Sequence, residues 1–173
     1  MGLIDKTGQW VLPASYDNFY PPIRSSSEKG LELLGVAKDG KVGYIDAKGN
    51  VVIDFQYKAT GRGIDYFYSF SEGLALVIVS SEDAHFIDRT GKVLFELPGT
   101  PRGFYNEGYM MLFRGKDKRY GLIDQDGKWY SLPSVLDPSP FYGRVSDGVL
   151  MVRENKGTLP KNWGYIEIRK SAK

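Results

Sequence analysis

Gly2-Leu3-Ile4-Asp5-Lys6-Thr7-Gly8-Gln9-Trp10-Val11-Leu12 opens the chain, and the same order of residue types returns three more times. It comes back as Gly43-Tyr44-Ile45-Asp46-Ala47-Lys48-Gly49-Asn50-Val51-Val52-Ile53 and as His85-Phe86-Ile87-Asp88-Arg89-Thr90-Gly91-Lys92-Val93-Leu94-Phe95. The fourth copy is Gly121-Leu122-Ile123-Asp124-Gln125-Asp126-Gly127-Lys128-Trp129-Tyr130-Ser131, and a broken fifth is Trp163-Gly164-Tyr165-Ile166-Glu167-Ile168. A second motif precedes each copy after the first. It reads Glu28-Lys29-Gly30-Leu31, Ser71-Glu72-Gly73-Leu74, Asn106-Glu107-Gly108-Tyr109 and Ser146-Asp147-Gly148-Val149. Two motifs in fixed order, about forty residues apart, mark a tandem repeat.

Each copy reads as a hairpin. Ile-Asp-x-x-Gly lies between two apolar runs, and a short connection containing glycine signals a turn between strands. Aspartate can accept a bond from the backbone two residues on, and glycine supplies the positive φ that closes a bulged turn. Asp5, Asp46, Asp88 and Asp124 are therefore expected as turn-makers rather than catalysts. Glu167 has no matching glycine, so the last hairpin is expected to stay incomplete. Three strands per copy follow. Strand A comes after the Glu-Gly motif (31–38, 74–79, 109–113, 149–153), strand B is the Gly-aromatic-Ile-Asp segment, and strand C follows the glycine. Lys38-Asp39-Gly40-Lys41 is a strong two-residue hairpin signal between A and B. The C-to-A connections leave room for a fourth short strand.

Leu74-Ala75-Leu76-Val77-Ile78-Val79 and Tyr109-Met110-Met111-Leu112-Phe113 are apolar without alternation, so both faces of strand A need cover. No helical period supplies that cover, which leaves neighbouring copies to shield one another. The expected fold is all-β: tandem antiparallel meanders stacked sheet on sheet, as an open solenoid-like or a small propeller-like array. It is expected as one array over 1–173, with copies near 2–30, 31–73, 74–108 and 109–148 and a partial one at 149–170.

The pattern resembles the bacterial WG-repeat family. The resemblance is carried by Trp163-Gly164-Tyr165-Ile166, Tyr120-Gly121-Leu122-Ile123-Asp124, Gly43-Tyr44-Ile45-Asp46, the opening copy through Pro13, and Phe70-Ser71-Glu72-Gly73-Leu74-Ala75. His85 departs from it where glycine is usual, and Val42 where an aromatic is. The resemblance implies a β-rich interaction or structural module with no catalytic site common to its members. Because the chain opens at the glycine of a copy, it reads as a piece of something longer.

Composition removes several chemistries. The 173 residues contain no cysteine and one histidine, so neither disulfides, thiol nucleophiles nor cysteine–zinc sites can form. Lys and Arg number 23 against 21 Asp and Glu, a balance that weighs against nucleic acid as the partner. The 21 glycines, 12 tyrosines, nine phenylalanines and three tryptophans fit strands and turns. The first residues hold no signal-peptide run, and residues 74–79 are far short of a membrane span. That leaves cytoplasm, periplasm or cell envelope of a bacterium open.

His85 lacks an evident partner for base catalysis. Asp124-Gln125-Asp126-Gly127 begins like a calcium loop, but Val135 stands where the twelfth-position glutamate belongs. No catalytic residue, metal or cofactor is expected. Arg114, Lys116, Lys118 and Arg119 read as a solvated hairpin tip. Aromatics on connectors are the better binding candidates: Tyr16, Phe19, Tyr68, Tyr105, Phe141, Tyr142 and Arg144. The competing reading is that these rings plug gaps between stacked meanders. The expected function is a non-enzymatic scaffold or recognition module with a protein partner; the alternative is a carbohydrate or envelope polymer.

Overall fold

A computed structural model describes residues 1–21, 33–60, 67–80, 83–103, 105–134, 136–138, 145–154 and 163–169. Among these residues all regular structure is strand, and every pairing is antiparallel. Leu3–Ile4 (β1) and Trp10–Leu12 (β2) form a hairpin. Asn18–Tyr20 (β3), Leu34–Lys38 (β4), Lys41–Ile45 (β5) and Val51–Lys58 (β6) form a sheet in that order. Phe70–Ser71 (β7), Leu74–Ile78 (β8), Ala84–Ile87 (β9) and Val93–Glu96 (β10) repeat it. So do Thr100–Pro101 (β11), Tyr109–Arg114 (β12), Arg119–Asp124 (β13) and Trp129–Ser131 (β14). In the last sheet Leu136–Pro138 (β15) and Val145–Ser146 (β16) both pair with Val149–Glu154 (β17), which also pairs with Trp163–Glu167 (β18). The expected strands A, B and C are present, and a short strand precedes A in each full sheet. The chain divides into two compact units, Met1–Glu96 and Leu97–Lys173.

The turns follow from their residues. In all four Asp-x-x-Gly tips one aspartate oxygen accepts the N–H groups two and four residues on. The distances are 2.7 and 3.0 Å at Asp5, 2.8 and 2.9 Å at Asp46, 2.8 and 3.1 Å at Asp88, and 3.0 and 2.9 Å at Asp124. Gly8, Gly49, Gly91 and Gly127 sit at φ between 77° and 86°, a region L-residues enter at a cost. Lys38 pairs with Lys41 across Asp39 and Gly40, both at positive φ, as a type I′ turn demands. Glu72-Gly73, Glu107-Gly108 and Asp147-Gly148 also have two positive φ values each. In these three copies the motif is thus itself a two-residue hairpin leading into strand A.

Strand A is covered on both faces as its apolar run requires: β4, β8 and β12 each place at least three consecutive residues in the interior. Consecutive copies supply the cover. In the first unit Leu12 at the end of β2 packs with Val36 and Ile45 of the next sheet. A two-stranded hairpin such as β1–β2 is marginal by itself, and burying a leucine contributes about 1.5–3 kcal/mol. Docking Leu12 on β4 and β5 is therefore what holds the first copy. The turn glycines complete this contact. A Cβ at Gly49 would stand 2.5 Å from Leu12 Cδ2, and one at Gly91 would stand 3.1 Å from Ile53 Cγ2. These two tips thus rest on the third residue of the preceding strand C. In the second unit Met111, Leu122 and Leu132 of one copy pack with Val145, Leu150 and Val152 of the next.

Candidate functional site

Strand C is the outer edge of every full sheet, since β6, β10 and β14 end their strand orders. Its third residue points inward at Leu12 and Ile53, and its first two do not. Trp10 and Val11, Val51 and Val52, and Val93 and Leu94 are exposed large apolar residues in three consecutive copies of the first unit. Trp10 is 64 % exposed. Recurring apolar side chains on sheet edges are where a partner gains most by removing water. The sequence places these residues in strand C, outside the connectors that carry its candidate site. A signal was present: neighbouring strand residues face opposite sides, and an edge strand at the rim has cover for neither.

In the second unit the equivalent pair is Trp129 and Tyr130. Tyr130 is exposed yet held in place. Its hydroxyl donates to Asp124 Oδ2 at 2.9 Å, and Lys128 Nζ lies 4.9 Å from its ring centre. That hydrogen bond to the carboxylate raises the phenol above its ordinary range. Trp129 is half-buried under the Arg114 guanidinium, 4.8 Å from the ring. Arg114 also binds Asp117 through Nε at 3.1 Å to both oxygens, so the basic tip is partly neutralised within itself. Arg169 is bonded to Glu167 in the same way.

The connector aromatics separate into three groups. Tyr68 is wholly buried: its ring lies 4.8 Å from Tyr20, and its hydroxyl donates to the Lys58 carbonyl. Burial pushes that phenol up to about 12. Tyr105 is buried as well. These two rings pack the interior, as the competing reading holds, and offer no open face. Tyr16 and Phe19 are half-buried against the Leu12–Val36–Ile45 cluster, with Tyr16 stacked on Phe55 at 6.4 Å and tilted on Phe19 at 5.7 Å. Phe141, Tyr142 and Arg144 lie outside the described residues. Of the described candidates, Tyr16 and Phe19 are brought together.

His85 stands at the motif-glycine position, opposite Glu96, with Nε2 3.9 Å from Oε1. Among the described residues no three His, Asp or Glu side chains come together as a metal site. Asp124 serves its own turn, with both N–H groups on one oxygen and Tyr130 on the other. No helix long and apolar enough to cross a membrane occurs among the described residues.

A family model described as WG containing repeat matches residues 1–41 and 43–62. Over those stretches the chain is similar to the WG-repeat family. The matched part spans β1 to β6, and the later copies repeat the residue order of its Ile-Asp-x-x-Gly tip. No curated protein matches the chain. Among solved structures, BamB from Moraxella catarrhalis is similar at 15 % identity and a TM-score of 0.46. That alignment covers 88 % of this chain and 47 % of BamB, so the chain spans about half the length of that protein.

Proposed function

We propose that this chain, similar to WG repeats over its first 62 residues, is a non-enzymatic recognition module that binds another protein along the exposed rims of its strands C. One observation carries this reading: the pairs Trp10–Val11, Val51–Val52 and Val93–Leu94 recur, exposed, in successive copies. Side chains that stay largely exposed at the sheet edge, and are apolar each time, fit a surface that a partner covers. The half-buried Tyr16 and Phe19 belong to the same unit and extend the candidate surface, and Phe141, Tyr142 and Arg144 stay candidates in the second.

The test uses the full chain as bait for crosslinking in cells of its source. Val52→Lys and Val93→Lys are expected to abolish capture of the partner with the melting temperature unchanged, because both side chains are exposed. Phe141→Ala with Tyr142→Ala and Arg144→Ala tests the second surface in the same way. Capture that survives every one of these variants overturns the reading. Exposed flat rings at Trp10, Trp163 and Tyr165 favour a second reading, stacking on a sugar polymer. Retention on a glycan array, with no protein captured, would select it.

A further inference from the structure

The fifth copy ends differently from the others. In the first and fourth copies strand C lies along strand B and places a tryptophan on the motif glycine. Ile4 pairs with Trp10 and Ile123 with Trp129. Each ring reaches back to the glycine two residues earlier: a Cβ at Gly2 would stand 2.6 Å from Trp10 Cζ3, and one at Gly121 would stand 2.4 Å from Trp129 Cζ2. In the second copy the Ile53 carbonyl oxygen takes that space, 2.8 Å from a Cβ at Gly43. The bare glycine is what lets the covering strand come so close.

β18 carries the same elements in Gly164-Tyr165-Ile166. One edge is paired with β17 from Trp163–Arg153 through Glu167–Val149. Among the described residues no strand pairs with its other edge, and nothing lies within 4 Å of where a Cβ at Gly164 would stand. The turn explains the difference. Glu167 and Lys170 occupy the places of the tip's Asp and Gly. The Ile168 N–H donates to the Gly148 carbonyl at 2.7 Å, so at Ile168 the backbone still runs beside the start of β17. Ile166 and Ile168 face the apolar cluster of this unit, while Trp163 and Tyr165 are 55 % and 70 % exposed.

We infer that the open edge of β18 accepts an extended segment of a partner protein as an added antiparallel strand, with a tryptophan opposite Ile166 whose ring covers Gly164. Main-chain hydrogen bonds to the edge give affinity, and the uncovered glycine selects the aromatic residue. The two copies in which a tryptophan already covers this edge define the occupant. A second copy of the chain is a poorer donor, because its Trp10 and Trp129 strands are already paired with Ile4 and Ile123. The inference rests on the protein-recognition reading but uses a surface separate from the rims of the first unit.

The probe is a labelled peptide with the sequence of residues 127–133, titrated into the full chain while amide hydrogen exchange is followed. Exchange is expected to slow across Trp163–Glu167. Gly164→Val, which fills the slot, and Trp129→Ala in the peptide are each expected to weaken binding about tenfold or more. Val52→Lys with Val93→Lys should bind the peptide like the parent, which keeps this result independent of the rim surface. Equal affinity for Gly164→Val, protection confined to other strands, or no binding at millimolar peptide overturns the inference. A dimer that Gly164→Val dissociates would assign the edge to a second copy and overturn the choice of occupant.

Discussion

The two kinds of glycine turn in this chain use one interaction, a carboxylate accepting backbone N–H groups, over very different ranges. At the Asp-x-x-Gly tips the donors are two and four residues away, so a single hairpin satisfies itself. At the Asp147-Gly148 turn the acceptor comes from another copy. Glu107 accepts from the N–H of Asp147 at 2.7 Å and of Gly148 at 2.9 Å, and Asn106 Nδ2 donates to the Val145 carbonyl at 2.7 Å. The first turn shapes a hairpin; the second ties one hairpin to the next. A meander of this size cannot bury its own faces, so it needs both.

The comparison can be broken by substitution. Gly49→Ala is expected to have the largest effect. It adds left-handed strain of about 1–2 kcal/mol and, against Leu12, an overpacking cost of about 1–3 kcal/mol. Gly8→Ala carries the strain alone, since nothing lies within 4 Å of its Cβ position among the described residues. Equal denaturation midpoints for the two would remove the stacking role of the tip. Glu107→Ala comes next, at about 1–3 kcal/mol, because two backbone donors lose their acceptor. Glu107→Gln, which keeps one carbonyl oxygen, should recover part of that loss in urea melts.

Acidification sharpens the local half of the comparison. The Asp5, Asp46 and Asp88 carboxyls are held below their ordinary range, first by side-chain bonds from Thr7, Asn50 and Thr90 and then by backbone N–H groups. A depressed native value means stability that is complete above the unfolded value and lost as pH falls through the native one. Thermal melts should therefore decline below about pH 4. The triple variant Asp5→Asn, Asp46→Asn, Asp88→Asn should decline less over that range. The smallest effect is expected at Tyr44. Its ring is buried between Tyr57 and Phe70, and its hydroxyl has no partner among the described residues. Tyr44→Phe should leave the midpoint unchanged or raise it, by up to about 1 kcal/mol; a clear loss would reveal a bond to that oxygen.

Much of the scaffold was legible because its turns are coded locally. Lys38-Asp39-Gly40-Lys41 and the four aspartate tips involve residues within five positions of one another, and they fold as their residue types require. The Glu-Gly motif was visible as a repeat, yet its role was not, since the donors to Glu107 lie a whole copy away. The candidate site was harder to read. Tyr68 and Tyr105 look like exposed connector aromatics in one dimension. The backbone at Tyr68, with φ of 67°, instead places its ring beside Tyr20 and its hydroxyl on Lys58. Trp10, Val51 and Val93 look like core strand residues and stand in solvent, because an edge strand at the rim has no neighbour to cover it.

The order of residues alone determined the copies, their hairpin tips and the all-β class, since each is settled by hydrogen bonds and φ preferences inside a few consecutive residues. Only the tertiary structure decided which rings are packed away, which apolar side chains are left on the rims, and which strand edge is unpaired among the described residues. Those outcomes depend on how blocks about forty residues apart press against each other, and short-range residue preferences carry no record of that contact.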